Sequence, residues 1–271
     1  METFEVFPVR SETLLPATHT NVYILGNEKR WVVDPGSPFP EENTRLIEHL
    51  QQGPPVAGII LTHRHRDHVS GAQTLADALS CSIYAHPITA GEVIEKVAVD
   101  KLLEEGDRVD LGGGAQLQVL HTQGHAQGHI CLWAPSARWL VCGDMVAGVG
   151  SILIAPPDGD VREYLASLER LRALEPAQLL PAHGPLIANA VEKLTQYITH
   201  RLAREQRVLA ALTSEWQSVD TIVPKAYADT PPMMWPFASG AALAHLQKLA
   251  DDEMADQSDD RFRLALRKEV P

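Results

Sequence analysis

No run of about 18 apolar residues occurs in the 271-residue chain, so a helical membrane span is not expected. Cysteine is scarce. Cys81, Cys131 and Cys142 are odd in number and lack C-x-x-C spacing, which argues against a zinc ribbon and reads as buried, reduced thiols. Basic residues are outnumbered, 23 Lys and Arg against 35 Asp and Glu, giving a net charge of −12. A chain this acidic repels phosphate backbones at long range and so argues against general nucleic-acid binding, although a local basic patch can override the field. Low-complexity tracts and fixed-period repeats are missing. The opening METFEVFPVRSE has neither the charged-then-apolar order of a signal peptide nor the acid-poor character of a transit peptide, so a cytoplasmic protein is expected. What is present, 45% apolar and 21% charged, is ordinary globular composition, long enough for one large domain and a small appendage.

The first half reads as strands broken by turns: FEVFPVR, NVYILGN and RWVVDPG are short, β-branched and punctuated by Gly, Asn and Pro. EENTRLIEHLQQG follows as a helix with Leu46, Ile47 and Leu50 on one face. VAGIILT is nearly continuous in apolar residues, as expected of a strand buried on both faces. GAQTLADAL reads as a helix and CSIYAH as a strand; strand patterns recur in RVDLGG, AQLQVLHT, HICLWAP and RWLVCGD. DVREYLASLERLRALE is an amphipathic helix, and QLLPAHG a short strand and turn. Beyond it the texture is mostly helical: a long ANAVEKLTQYITHRLAREQRVLAAL, then VDTIVPKAYA, a break at TPPMMWPFASG, and AALAHLQKLADDEM. RFRLALRKEV reads as one or two short strands. We place a domain boundary so that residues 1–188 form a large α/β domain and residues 189–271 a small C-terminal helical module.

LTHRHRDHVSG crowds His63, His65, Asp67 and His68 onto the loop that leaves VAGIIL. The remaining histidines and aspartates also gather at strand ends: His121, His125 and His129 in HTQGHAQGHI, Asp144 in GDMV and His183 in PAHG. Taken singly, each motif is as well explained by satisfied surface histidines. Four in this order are not.

The series T-H-x-H-x-D-H, G-H-x-x-G-H, G-D and H-G, at Thr62–His68, Gly124–His129, Gly143-Asp144 and His183-Gly184, resembles the metallo-β-lactamase superfamily in its dinuclear, glyoxalase-II-like form. The resemblance covers residues 1–187 and implies a four-layer αββα sandwich with the site at one edge between the sheets. It implies metal ligands at His63, His65, Asp67, His68, His125, Asp144 and His183. Neutral nitrogens of His63, His65 and His125 make a partial shell for zinc; Asp67, His68 and His183 make a harder set for a second metal; Asp144 can place one oxygen on each. Two zinc ions would share a hydroxide acidified enough to exist at neutral pH, and Asp67 would also aim it, which makes Asp67 the catalytic candidate. Iron or manganese stays open, because imidazole–carboxylate sets do not select sharply. In this pattern His129 orients a ligand, with a packing role as the equal alternative, and Asp34, in VVDPG, orients the metal loop through hydrogen bonds. His86 and His121 are expected to be structural, and His19, His49, His200 and His245 to be surface or packing residues.

The C-terminal segments resemble the lactamase-beta-2-like branch, in which a winged-helix-like module follows the hydrolase domain. Characterised eukaryotic members of that branch cleave single-stranded RNA, and fungal relatives hydrolyse polyketide thioesters. An aspartate at 144, where a lactamase of the cysteine-ligand type has a thiolate, favours another hydrolase. Gln123, Ala126 and Ala182 depart from the commoner pattern without removing a ligand. The preferred reading is a small-molecule ester or thioester hydrolase, because the net charge opposes a polyanion and Met234, Trp235 and Phe237 can offer an apolar wall to the cleft, with ordinary interdomain packing as the equal alternative for these three. Single-strand-specific RNA cleavage is the alternative. A non-enzymatic metal-binding interaction protein is the second alternative, although the sequence indicates no particular protein partner.

Overall fold

The computed structural model describes residues 3–265. The first sheet has the order β1 (Phe4–Arg10), β2 (His19–Leu25), β3 (Arg30–Val33), β4 (Val56–Leu61), β5 (Ser82–Ala85), β6 (Lys101–Leu102). The second runs β11 (Gln178–Pro181), β10 (Trp139–Gly143), β9 (Ile130–Ala134), β8 (Ala115–His121), β7 (Arg108–Gly112). Helices α1 (Pro40–Gln51), α2 (Arg66–Val69), α3 (Ala72–Leu79) and α4 (Pro87–Val93) belong with the first sheet, and α5 (Val161–Ala173) connects β10 to β11, which pair in parallel.

Strand alternation explains why the layers number four. Successive side chains on a strand point to opposite faces, so a strand buried on both sides feeds two cores. In β4, Ile59 and Leu61 pack outward with Leu46 and Leu50 of α1 and Leu75 of α3. Ile60, between them, points inward to meet Leu117, Val119, Ile130 and Leu132 of the second sheet. On the far side, Leu120, Cys131 and Leu140 pack with Leu168 and Leu171 of α5. The order helix, sheet, sheet, helix is the expected αββα sandwich.

The C-terminal module contains α6 (Ala190–Ala211), α7 (Val219–Ala226), α8 (Trp235–Asp251) and a small sheet ordered β12 (Gln217–Ser218), β14 (Arg261–Leu264), β13 (Ala255–Ser258). Helix α6 serves both parts. Leu194 and Ile198 belong to the α5 core, whereas Val208 and Ala211 pack with Ile222, Leu246 and Phe262 of the module.

Several expectations need correction. The break expected through Gly240 is shorter, because α8 already begins at Trp235 after a 3-10 turn at Pro232–Met234. Pro236 stands in the first turn of that helix, where a missing N–H costs nothing and the fixed φ suits a helix. The same helix stops at Asp251, so Ala255 lies in β13. The His-rich stretch is not all loop, since one helical turn covers Arg66–Val69. Helix α4 and strand β6 had not been anticipated. In RFRLALRKEV, Arg261–Leu264 is a strand, and residues 266–271 lie outside the described residues. No helix among the described residues is long and apolar enough to cross a membrane.

Candidate metal centre

The strand ends converge. Asp34 follows β3, Thr62 to His68 follow β4, Asp144 follows β10 and His183 follows β11. Asp34 has φ of 52°, a left-handed conformation that aspartate tolerates better than most residues. The turn it begins brings Gly36 so close to the metal loop that a Cβ there would lie 1.6 Å from the Asp67 carbonyl oxygen. From this position the Asp34 carboxylate accepts hydrogen bonds from the Thr62 backbone N–H at 2.7 Å, the Thr62 hydroxyl at 2.6 Å and His68 Nδ1 at 2.8 Å. One buried carboxylate thus fixes both ends of the His-rich loop.

The first group contains His63 Nε2, His65 Nδ1 and His125 Nε2, separated by 2.9 to 3.3 Å. Their outer nitrogens set the tautomers. His63 Nδ1 lies 3.0 Å from the Thr62 hydroxyl oxygen, which already donates to Asp34. His65 Nε2 lies 3.0 Å from Asp158 Oδ2, and His125 Nδ1 lies 3.0 Å from the Leu153 carbonyl. Each outer nitrogen therefore carries the proton, and three lone pairs face one another. That arrangement is repulsive unless a cation lies among them. Burial, and then the neighbouring imidazoles, hold His63 well below the ordinary histidine range; burial likewise brings His125 to about 4 despite the Asp144 carboxylate. Neutral imidazole is the metal-binding form.

The second group is Asp67, His68 and His183, whose ligand-type atoms lie within 4.8 Å of one another. His183 Nε2 is 3.3 Å from Asp67 Oδ2, and its Nδ1 donates to the His19 carbonyl at 3.1 Å. Asp144 faces both groups. Its Oδ2 lies 3.5 Å from His125 Nε2, and its Oδ1 lies 3.4 Å from His183 Nε2 and 3.6 Å from His68 Nε2. His68 Nε2 and Asp144 Oδ1 are buried and have no hydrogen-bond partner among the described residues, which is costly for polar atoms of this kind. Burial opposes charge on His68, but Asp34, Asp144 and Asp67 outweigh it and raise the imidazole to about 10. Three carboxylates around one ring demand positive charge. A proton satisfies that demand in part; a divalent ion among these donors satisfies it and the orphaned atoms together.

His129 stands one step back from the cluster. Its Nε2 accepts the Asp144 backbone N–H at 3.1 Å, and its Nδ1 donates to Thr122 Oγ1 at 2.9 Å. It positions Asp144 through the backbone. His121 and His86 stack at 4.1 Å, and His86 also caps α4. His245 is fully buried, while His19 and His200 are exposed.

Asp158 escaped the sequence reading. It lies in a Pro-Pro-Asp-Gly loop with no metal motif, 93 positions from the His65 it orients, and also accepts from Arg64 Nε at 2.8 Å. The only local signal is an acidic residue on a strand-end loop. Asp158→Ala and His129→Ala should each lower kcat/KM by about 10–100-fold, as losses behind a metal ligand do. Metal content measured beside the kinetics should stay close to that of the unmodified protein; unchanged kinetics in either variant would show that its ligand is held by other contacts.

A cleft of about 380 Å³ opens over the cluster, walled by Leu14, Ile152 and Leu153 among others. Met234 and Phe237 line the adjoining groove instead. Trp235 packs against the core of the C-terminal module and donates its indole N–H to the Thr230 carbonyl at 3.2 Å. The apolar wall over the cluster thus comes from loops of the hydrolase domain.

Residues 15–183 match the metallo-beta-lactamase superfamily, and residues 218–263 match the beta-lactamase associated winged helix domain. The chain is 30% identical over 246 residues to a Caenorhabditis elegans protein named beta-lactamase-like protein 2 homolog, covering 88% of this chain and 80% of that one. It is 30% identical over 196 residues to an Emericella nidulans protein named thioesterase pkgB, covering 71% of this chain and 54% of that one. Among solved structures, a beta-lactamase domain protein from Burkholderia ambifaria aligns with a TM-score of 0.82 at 23% identity, over 97% of this chain and 91% of that one. A protein solved in a di-iron-bound form aligns with a TM-score of 0.55 at 32% identity, over 69% and 96%.

Proposed function

The chain belongs to the metallo-beta-lactamase superfamily, and on that premise we propose that it is a dinuclear metal-dependent hydrolase of an ester or thioester. The observation that carries the dinuclear reading is the pair of orphaned buried atoms, His68 Nε2 and Asp144 Oδ1, beside three converging histidine lone pairs. The donor set fits two cations. His63, His65 and His125 would hold one, Asp67, His68 and His183 the other, and Asp144 would offer an oxygen to each. When bound, such a pair supplies an acidified water and a Lewis acid for the carbonyl oxygen. We favour zinc, for which imidazole-rich sets are well suited; the di-iron-bound relative keeps iron as the alternative.

The chain's own residues do the rest. Asp34, Asp158, Leu153 and the His19 carbonyl lock the ring orientations, so the inward nitrogens need no reorganisation. Asp67, beside His183 in the floor of the cleft, would aim the attacking water at the carbonyl carbon through a hydrogen bond. Leu14, Ile152 and Leu153 shield the reacting group from bulk water. Water adds to the carbonyl, the C–S or C–O bond breaks, and acid plus thiol or alcohol leaves.

A thioester is favoured over RNA by the net charge of −12, the apolar wall and the relative named as a thioesterase. The three free cysteines suit a reducing compartment, and we place the protein in the cytoplasm. Assaying acyl thioesters and aryl esters beside labelled single-stranded RNA, with His68→Ala as control, tests the assignment. Thioester or ester hydrolysis lost in the variant is expected. RNA cleavage lost in it, without esterase activity, would reverse the order; no hydrolysis of anything would favour a metal-binding interaction protein.

A further inference from the structure

A second groove, of about 640 Å³, adjoins the metal cleft and shares with it Thr13 to Pro16 and Ser151 to Leu153. Helix α6 forms one wall and the start of α8 another, so the groove runs between the hydrolase domain and the C-terminal module. Leu14, Leu15, Met234 and Phe237 are exposed along it. Together the two spaces exceed what a small acyl group fills, since single ligand pockets run from about 300 to 1,000 Å³.

One residue on the α6 wall is unusual. Arg201 is only 5% exposed, yet no carboxylate pairs with it among the described residues. Its guanidinium donates from Nη2 to the Ile152 carbonyl and lies 5.2 Å from the centre of the Tyr164 ring, while Nε has no partner. Glu205, one turn on, is taken by Lys248 at 3.0 Å. Arg204 shares Asp229 with Arg207, so that trio keeps a net positive charge. The Tyr227 hydroxyl, also at this wall, is buried without a partner. In a chain of net charge −12, the groove has a cationic pole. A buried cation without a counter-ion is costly, and an anion entering the groove would offset that cost.

We propose that this groove is a second subsite of the hydrolase and that it takes the phosphate-bearing leaving arm of a thioester, with Arg201 as its counter-ion. The inference rests on the hydrolase reading for the word thioester, but the groove and its charge stand apart from the metals. A phosphate suits the pole better than a carboxylate does. A guanidinium fork, with Tyr227, Thr230 and Arg204 beside it, offers donors in several directions to a group with three free oxygens. A long thiol arm also explains why apolar surface continues past the metals to Phe237.

Calorimetric binding to the metal-loaded full chain, with S-methyl phosphopantetheine and S-methyl pantetheine as probes, tests this. Neither probe has a bond to hydrolyse, so the result is independent of catalysis. The phosphorylated probe should bind roughly tenfold tighter or more, as a charge-assisted hydrogen bond implies. Arg201→Met should erase that preference. Because Arg201 also holds Ile152, Phe237→Glu on the exposed rim provides a second variant, in which repulsion should reduce the preference to a similar extent. Equal affinity for the two probes, or a preference unaltered in both folded variants, overturns the proposal. A phosphate preference without thioester hydrolysis supports the subsite and removes the reaction assigned to it. An RNA oligonucleotide that binds in a variant-sensitive way, with no phosphate preference between the probes, assigns the groove to RNA and overturns it.

Discussion

Asp144→Ala is expected to reduce hydrolysis by about a thousandfold or more, because it removes the one carboxylate that faces both metal groups. Occupancy should fall chiefly at the Asp67, His68 and His183 group, whose nearest shared oxygen is Asp144 Oδ1. The group of His63, His65 and His125 keeps its three nitrogens and should still bind. The metal-free variant should be less stable than the metal-free parent, since the Asp144 carboxylate helps hold the charge on His68 and His183 in the absence of metal. Elemental analysis, a hydrolysis assay and denaturant unfolding of the metal-free forms read these three effects separately. A variant with two metals and full turnover would show that the bridge is supplied elsewhere.

Asp34→Ala should instead be costly to the fold. It strands the buried Thr62 N–H and frees His68 Nδ1, so a loss of about 3–5 kcal/mol is expected. In a chain of this size the melting temperature should fall on the order of 10 °C. Asp34→Asn separates structure from site. The amide oxygen can still accept from the Thr62 N–H, but its nitrogen would face His68 Nδ1 and turn the imidazole proton toward the metals. That variant should keep most of its stability and lose metal affinity. Thermal unfolding beside metal titration reads both, and an asparagine variant that binds metal as tightly as the parent would contradict the role assigned to Asp34.

The sequence carried the candidate cluster because its ligand-type residues fall in short motifs on the segments that follow apolar strands, and the order of those motifs is itself informative. Asp34 and His129 entered only through the family resemblance. Asp158 was not legible, because its partner His65 is brought to it only by the packing of the connection between β10 and α5 against the His-rich loop. The four layers came from the family resemblance; the doubly apolar pattern of Val56–Leu61 indicated only a strand buried on both faces. The start of α8 falls inside the expected break, because Pro236 lies in the first turn, where proline is tolerated. That shift turns Trp235 into the module's core and sets Phe237 beside the groove, so residues expected over the metals stand next to them instead.

The central claim is that seven side chains hold two metal ions. The most direct test is the metal content, by elemental analysis, of protein purified without chelator. The expected result is close to two equivalents of transition metal per chain, falling toward one in Asp144→Ala. Folded, hydrolytically active protein free of transition metal would contradict the account.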